Sequence, residues 1–340
     1  MTEKTYRKAL NEALAQAMCA SDKVYLIGED IGVYGGGFDV VCGLIEQFGP
    51  ERVREVPISE SAIAGICVGS AIMGMRPVME LHFGDFITIA MDQIVNQAAK
   101  IHYMSNGNIT LPMVIRAPFG TGTGAGAQHS QSLESWFTHI PGLVVIEPSN
   151  AYDAKGLLLA AIKEENPVIF FEHKMLYDEA MEVPDEKYLL PIGVADVKRT
   201  GSDVTIIATA QMVSKALLAA QRLALQGIAV EVVDPRTLIP LDKETLIDSV
   251  VKTGRVLIAT EEVKTSGFGA EIAAMLAESR AFHSLKMPIK RLGAAFTPTP
   301  VAKMLENASI PQISDIILAV EQLIKDTKYI TRKRYFTRSF

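Results

Sequence analysis

The sequence predicts an α/β protein made of two successive blocks of mainly parallel sheet, and three observations lead there. Short apolar runs alternate with helical patterns along the 340 residues. Several of those runs are apolar almost without interruption, as strands buried on both faces are. An acidic stretch carrying two prolines, residues 178–195, breaks the alternation and divides it in two.

Each element follows from its pattern. Tyr6, Ala9, Leu10, Ala13, Leu14, Ala17 and Met18 recur at helical spacing, so an amphipathic helix comes first. Residues 24–27, 53–58, 77–83, 111–117, 143–146 and 168–171 read as strands, and 63–73, 87–104 and 152–163 as helices. The second block runs strand 204–208, helix to Leu225, strand 228–233, helix to Val251, strand 256–260, a helix after Gly269 and strand 289–292. The domains predicted are therefore 1–177, a linker at 178–195, and 196–326. A basic, aromatic tail at 327–340 reads either as a loose extension or as a docking segment for an acidic partner.

Composition narrows the function. Hydrophobic residues make up 49% and charged ones 21%, a globular balance. A net charge of −6 argues against nucleic-acid or membrane-surface binding by the body of the protein. Cys19, Cys42 and Cys67 form no CxxC and read as reduced, small buried hydrophobes of a cytoplasmic protein. The opening residues carry no apolar signal region, so secretion is not predicted. The longest apolar run, 61–74, falls short of the ~20 residues that cross a bilayer. It reads as a buried helix whose Gly65 and Gly69 let another backbone approach, in this chain or in another.

The first candidate for chemistry is Glu60, at the mouth of that apolar helix. A lone carboxylate is costly to hold charged there, and a carboxyl so placed is suited to proton transfer near neutral pH. Residues 120–131, Gly-Thr-Gly-Thr-Gly-Ala-Gly-Ala-Gln-His-Ser-Gln, follow a predicted strand. Gly122, Gly124 and Ala127 superficially fit a dinucleotide loop, but the stretch runs into a polar cluster instead of a helix and comes late in the domain. The other reading is an active-site loop presenting His129 for proton transfer or substrate binding. Glu29 ends the first strand, and in parallel sheets strand ends face the ligand crevice. His82, Phe83, Asp85 and Phe86 follow another strand at the same edge, where Phe86 offers a flat face for a ring or serves the core. No HExxH, GxSxG or GxxxxGK[ST] occurs, which leaves zinc-protease, serine-hydrolase and P-loop readings without support. There is also no Gly-Asp-Gly with a downstream Asn; Gly84-Asp85 continues into Phe86.

Assembled, these residues resemble the beta subunit of the thiamine-diphosphate-dependent decarboxylase component of 2-oxo acid dehydrogenase complexes. The resemblance covers residues 5–325. It rests on Val-Arg-Glu-Val-Pro-Ile-Ser-Glu (53–60), Gly-Met-Arg-Pro-Val (74–78), Ala-Met-Asp-Gln-Ile (90–94), Gly-Ala-Gln-His-Ser-Gln (126–131) and Asp-Ala-Lys-Gly-Leu-Leu (153–158). Val-Asp-Pro-Arg-Thr-Leu-Ile-Pro-Leu-Asp (233–242) and Thr-Glu-Glu (260–262) extend it. Phe-Gly-Asp-Phe (83–86), Phe-Glu-His-Lys (171–174) and Phe-Thr-Pro-Thr-Pro (296–300) look closest to acetoin dehydrogenase beta chains.

The resemblance implies a pyrimidine-binding thiamine diphosphate domain followed by a transketolase C-terminal-like domain. It puts the cofactor glutamate on Glu60, with Glu29, Ile58, His82 and Phe86 lining the aminopyrimidine pocket. His82 departs from the apolar residue expected in pyruvate enzymes. His129 matches the loop histidine linked to substrate binding and acyl transfer to lipoamide. A potassium-type ion in some relatives maps to backbone oxygens near Met113, Ala161 and Ile162 with Glu164 and Asn166, where Glu164 replaces the usual Asp. Magnesium and the diphosphate fall to an alpha subunit that carries the missing Gly-Asp-Gly. The chain is thus expected to form a heterotetramer with it and to serve a dihydrolipoyl acyltransferase core. The reaction implied is acetoin cleavage with acetyl transfer to lipoamide, or oxidative decarboxylation of pyruvate or a branched 2-oxo acid. A nicotinamide dehydrogenase and a non-catalytic scaffold are the competing classes.

Overall fold

The computed structural model describes residues 1–32 and 34–336, with side chains described as far as Asp326. In chain order the first elements are β1 (Thr2–Thr5), α1 (Tyr6–Ala20), β2 (Val24–Gly28), α2 (Leu44–Phe48), β3 (Val53–Glu55), α3 (Glu60–Ile72) and β4 (Arg76–Glu80). They are followed by α4 (Ala99–Met104), β5 (Val114–Phe119), α5 (Glu134–Thr138), β6 (Val144–Ile146), α6 (Ala151–Lys163), β7 (Val168–His173) and β8 (Ala180–Val183). Next come β9 (Asp196–Arg199), β10 (Val204–Ala208), α7 (Gln211–Ala224), β11 (Val230–Asp234), β12 (Thr237–Ile239) and α8 (Lys243–Thr253). The last are β13 (Val256–Val263), α9 (Phe268–Ala277), α10 (Ala281–Ser284), β14 (Lys290–Ala294), α11 (Lys303–Ser309) and α12 (Ile313–Phe336).

The chain forms two compact units. The first joins Met1–Gly193 with two later segments, Arg236–Pro240 and Pro298–Val301. Its seven-stranded sheet runs β12-β6-β7-β5-β4-β2-β3, parallel except for β12. The Thr5 hydroxyl accepts from the Lys8 N–H to start α1, and the Asn150 side chain accepts from the Asp153 N–H to start α6. The buried stripes of these two helices meet the inner residues of β2, β4, β5 and β7 in one core. Each Leu fully buried there contributes roughly 1.5–3 kcal/mol.

The second unit has a sheet in the order β14-β13-β10-β11-β9, parallel except for β9. Val204, Ile206 and Ala208 pack with α7 and α12 on one face. Thr205 points the other way, onto Ser249 and Thr253 of α8.

Several expectations change. Residues 87–104 are not one helix but a 3₁₀ segment, Gly84–Ala90, a π segment, Gln93–Ala98, and then α4. Ile87, Ala90, Ile94 and Ala98 stay buried throughout, and that buried stripe is what produced the helical spacing. The stretch read as a linker contains β8, paired antiparallel with β1 from Thr2↔Val183 to Thr5↔Ala180. The helix read as buried, α3, buries only one side. Ile63, Ala64, Cys67, Val68 and Ala71 face inward, while Ser61, Ala62, Ile66, Gly69 and Ile72 are exposed. All three cysteines are free, but only Cys67 is buried. Residues 337–340 of the basic tail lie outside the described residues, and its earlier part continues the backbone of α12. No helix among the described residues is long and apolar enough to cross a membrane.

Candidate active site

Neighbouring parallel strands end at one edge of the sheet, and the predicted site residues stand just past those ends. Glu29 follows β2, His82 follows β4, the glycine-rich loop follows β5, and the turn after β3 leads through Ile58 to Glu60 at the start of α3. Parallel pairing therefore brings together residues separated by up to a hundred positions of sequence.

One half of the cluster is acidic. Glu60 is 5% exposed at the first turn of α3. Glu29 is equally buried, and its Oε1 has no hydrogen-bond partner among the described residues. Burial raises the Glu29 carboxyl above the ordinary carboxylate range, and the Glu60 and Asp30 charges raise it further. His82 and a hydrogen bond from the Ser59 backbone pull the other way. His82 stands between two acids, its Nδ1 3.9 Å from Glu29 Oε2 and its Nε2 3.8 Å from Asp30 Oδ2.

The other half is aromatic. The His129 ring meets Phe83 and Phe86 edge-on, with centroids 4.7 and 5.3 Å away. The loop that carries it follows Gly120, whose φ is +89° and where an added Cβ would fall 2.3 Å from His173 Nε2. Only glycine fits there.

Beneath the edge lies a network that the sequence reading missed. Arg116 donates to both carboxylate oxygens of Glu172 at 2.7 Å and also to Glu80, and Tyr177 donates to Glu172 at 2.8 Å. Burial raises the Glu80 carboxyl while the Arg116 guanidinium lowers it. The available signal was a charged residue within or at the end of each apolar strand.

Residues 2–179 match the family described as transketolase, pyrimidine binding domain, and residues 193–316 the transketolase C-terminal domain. The chain is 46% identical over 325 residues to the 2-oxoisovalerate dehydrogenase subunit beta of Bacillus subtilis (strain 168), covering 95% of this chain and 99% of that one. The chain belongs to the 2-oxo acid dehydrogenase beta-subunit family.

Other beta subunits match at similar levels. Acetoin:2,6-dichlorophenolindophenol oxidoreductase subunit beta of the same bacterium is 43% identical over 328 residues, covering 93% and 96% of the two chains. The mitochondrial pyruvate dehydrogenase E1 component subunit beta-2 of Oryza sativa subsp. japonica is 44% identical over 324 residues, covering 94% and 86%. A solved split-gene transketolase, described as an inactive beta4 tetramer, superposes with a TM-score of 0.78 at 25% identity, covering 94% and 98%.

Two groups of predicted residues sit differently in this beta subunit from the rest. Ile58 is 76% exposed, unlike the buried Glu29 and Glu60. The oxygens expected to hold an alkali ion gather past the end of α6, where protein groups already bind them. Met113 O accepts from the Val168 N–H, Ala161 O from the Glu164 N–H, and Ile162 O from Arg76 at 3.0 Å. Glu164 Oε1 takes the Asn166 Nδ2–H at 2.8 Å.

Proposed function

We propose that this beta subunit supplies the proton-handling half of a thiamine-diphosphate-dependent active site that cleaves acetoin and passes the acetyl group to lipoamide. The observation that carries this reading is the juxtaposition of Glu60, Glu29 and His82 with an aromatic-clamped His129 at one sheet edge. The donor set suits the cofactor. A buried carboxyl, an acid oxygen without a hydrogen-bond partner among the described residues and the half-buried Phe86 ring match an aminopyrimidine's nitrogens and its flat face. Glu60, Glu29, His82 and Phe86 would hold that ring, with Ile58 at its exposed margin.

Thiamine diphosphate, when bound, supplies a nucleophilic carbon and an electron sink for breaking the bond beside a carbonyl. This chain's residues then have distinct tasks. Glu60 would hydrogen-bond a ring nitrogen and hold or release a proton at its carboxyl, in a setting where the water that competes for protons is largely excluded. Glu29, raised by burial and by the Glu60 charge, flanks Glu60 and faces His82. His129 orients the substrate and protonates the departing group during acyl transfer. Magnesium and the diphosphate are placed with an alpha partner, and the exposed small-residue face of α3 is where that partner docks. A dihydrolipoyl acyltransferase core accepts the product. An alkali ion near Glu164 would share the Ile162 carbonyl with the Arg76 guanidinium, a like-charge contact that weakens its binding.

Acetoin is preferred because the acids flanking His82 disfavour a carboxylate-bearing substrate there. The Lys174 ammonium, meanwhile, is engaged with the His129 carbonyl and Phe83. A 2-oxo acid is the second reading, supported by the 46% identity to the 2-oxoisovalerate enzyme's subunit. The test is co-purification with the partner chain, followed by turnover of acetoin, pyruvate and 2-oxoisovalerate by wild type and Glu60→Gln. Thiamine-dependent turnover of acetoin above the two acids, abolished in an intact Glu60→Gln complex, is expected. Preference for an acid selects the second reading. Full activity of Glu60→Gln, or recovery of the chain alone as an active homo-oligomer, overturns both.

A further inference from the structure

We propose that Lys174 is a positioning residue for His129, acting together with Asp85 to fix the glycine-rich loop. The inference rests on the role given to His129 above. The loop reaches His129 through Gly120, Gly122, Gly124 and Gly126, with φ of +89°, +107°, +68° and +79°. Backbone of this kind supplies little stiffness of its own. The position of the imidazole must therefore be set by what holds the far end of the loop.

Besides the backbone hydrogen bond from the Gly120 N–H to the Gln131 carbonyl, two side-chain tethers hold it, and they follow different strands. Lys174, the first residue after β7 and 5% exposed, donates from Nζ to the His129 carbonyl oxygen. Its ammonium lies 5.2 Å from the centroid of Phe83. Asp85, in the turn after β4 and 3% exposed, accepts at Oδ1 from the Gln131 backbone N–H at 3.0 Å and from the Gln131 Nε2–H at 2.9 Å. The peptide groups on either side of Ser130 are thus pinned to two fixed points of the sheet edge. Phe83 connects the tether to its effect, since the ring beneath the ammonium is also the ring that meets the imidazole at 4.7 Å. Lys174 meets His129 at its backbone carbonyl, so the influence argued here passes through the placement of that histidine.

A displacement of about 1 Å at a reacting group costs on the order of a hundredfold in rate. The experiment uses the complex of this chain with its alpha partner and measures acylation of free lipoamide. The variants are His129→Ala, Lys174→Met, Lys174→Arg and the double variant His129→Ala/Lys174→Met. Hydrogen exchange of the peptide covering residues 120–131 is followed in the same samples without substrate. Lys174→Met is expected to slow acylation roughly tenfold to a hundredfold and to speed exchange in 120–131. Lys174→Arg, which keeps a charged donor, should recover most of the rate. In the His129→Ala background the Lys174→Met change should cost nothing more.

Wild-type acylation by Lys174→Met, or an equal loss in both backgrounds, overturns the proposal. An unimpaired His129→Ala variant overturns the role of His129 itself and is seen separately. Where Lys174→Met yields no complex, Asp85→Asn loosens the other tether and is put through the same cycle with the same criteria.

Discussion

Because burial and the Glu60 charge both raise the Glu29 carboxyl, the folded chain binds that proton more tightly than the unfolded chain does. The stability this provides is complete below the ordinary carboxyl value of 4.5 and is lost as pH rises through the higher folded value. Glu29→Gln, uncharged at every pH, is therefore expected to melt at a higher temperature than wild type at neutral pH. The gap should close on acidification. Thermal unfolding across a pH series, without cofactor, checks this; a gap that does not change with pH counts against it. The same residue was legible as a site candidate because it follows a strand on the sheet's carboxyl edge. Arg116, Glu80 and Glu172 were not, since a period-2 reading treats a charge inside a strand as noise when its partners lie on other strands.

At the scale of elements, the strands at the centre of each sheet were legible because both faces are buried and the runs are apolar. The antiparallel strands β1, β8, β9 and β12 were not. They are short, lie at sheet margins and take their partners from distant sequence. Helix α3 shows the opposite failure: its composition reads as fully buried, yet an added Cβ at Gly69 meets nothing within 4 Å. The exposed face of α3 is expected to be covered by the alpha partner. Gly69→Glu should leave the chain folded by circular dichroism, since removing a mid-helix glycine gains about 0.5–1 kcal/mol of helix stability. It should abolish co-purification of the partner. Retention of the partner would place the interface elsewhere.

At the scale of the whole molecule, the first unit depends on sequence far from its main segment. Strand β12 pairs with β6 through Thr237↔Ile146 and Ile239↔Val145. Arg236 donates to Asp153 at 3.1 Å, and both residues are buried. A chain ending at Gly193 loses the strand and this ion pair together. Removing one member of a buried pair costs about 3–5 kcal/mol. Such a fragment is expected to unfold well below the full chain's temperature in calorimetry and to associate through the uncovered β6 edge. A soluble fragment with full-length stability would show that β12 is dispensable.

The borrowed strand also bears on how the protein is made. A ribosome delivers the chain from its N-terminus at about 5–20 residues per second. The main segment of the first sheet has left the exit tunnel while β12 and the Pro298–Val301 segment, whose Val301 side chain lies beside Gly126, are still untranslated. The nascent first unit must therefore wait, with β6 open, until the first segment of the second unit, Val194–Pro235, and β12 directly after it have been synthesised. During that interval the open edge is the place where a chaperone has most to protect.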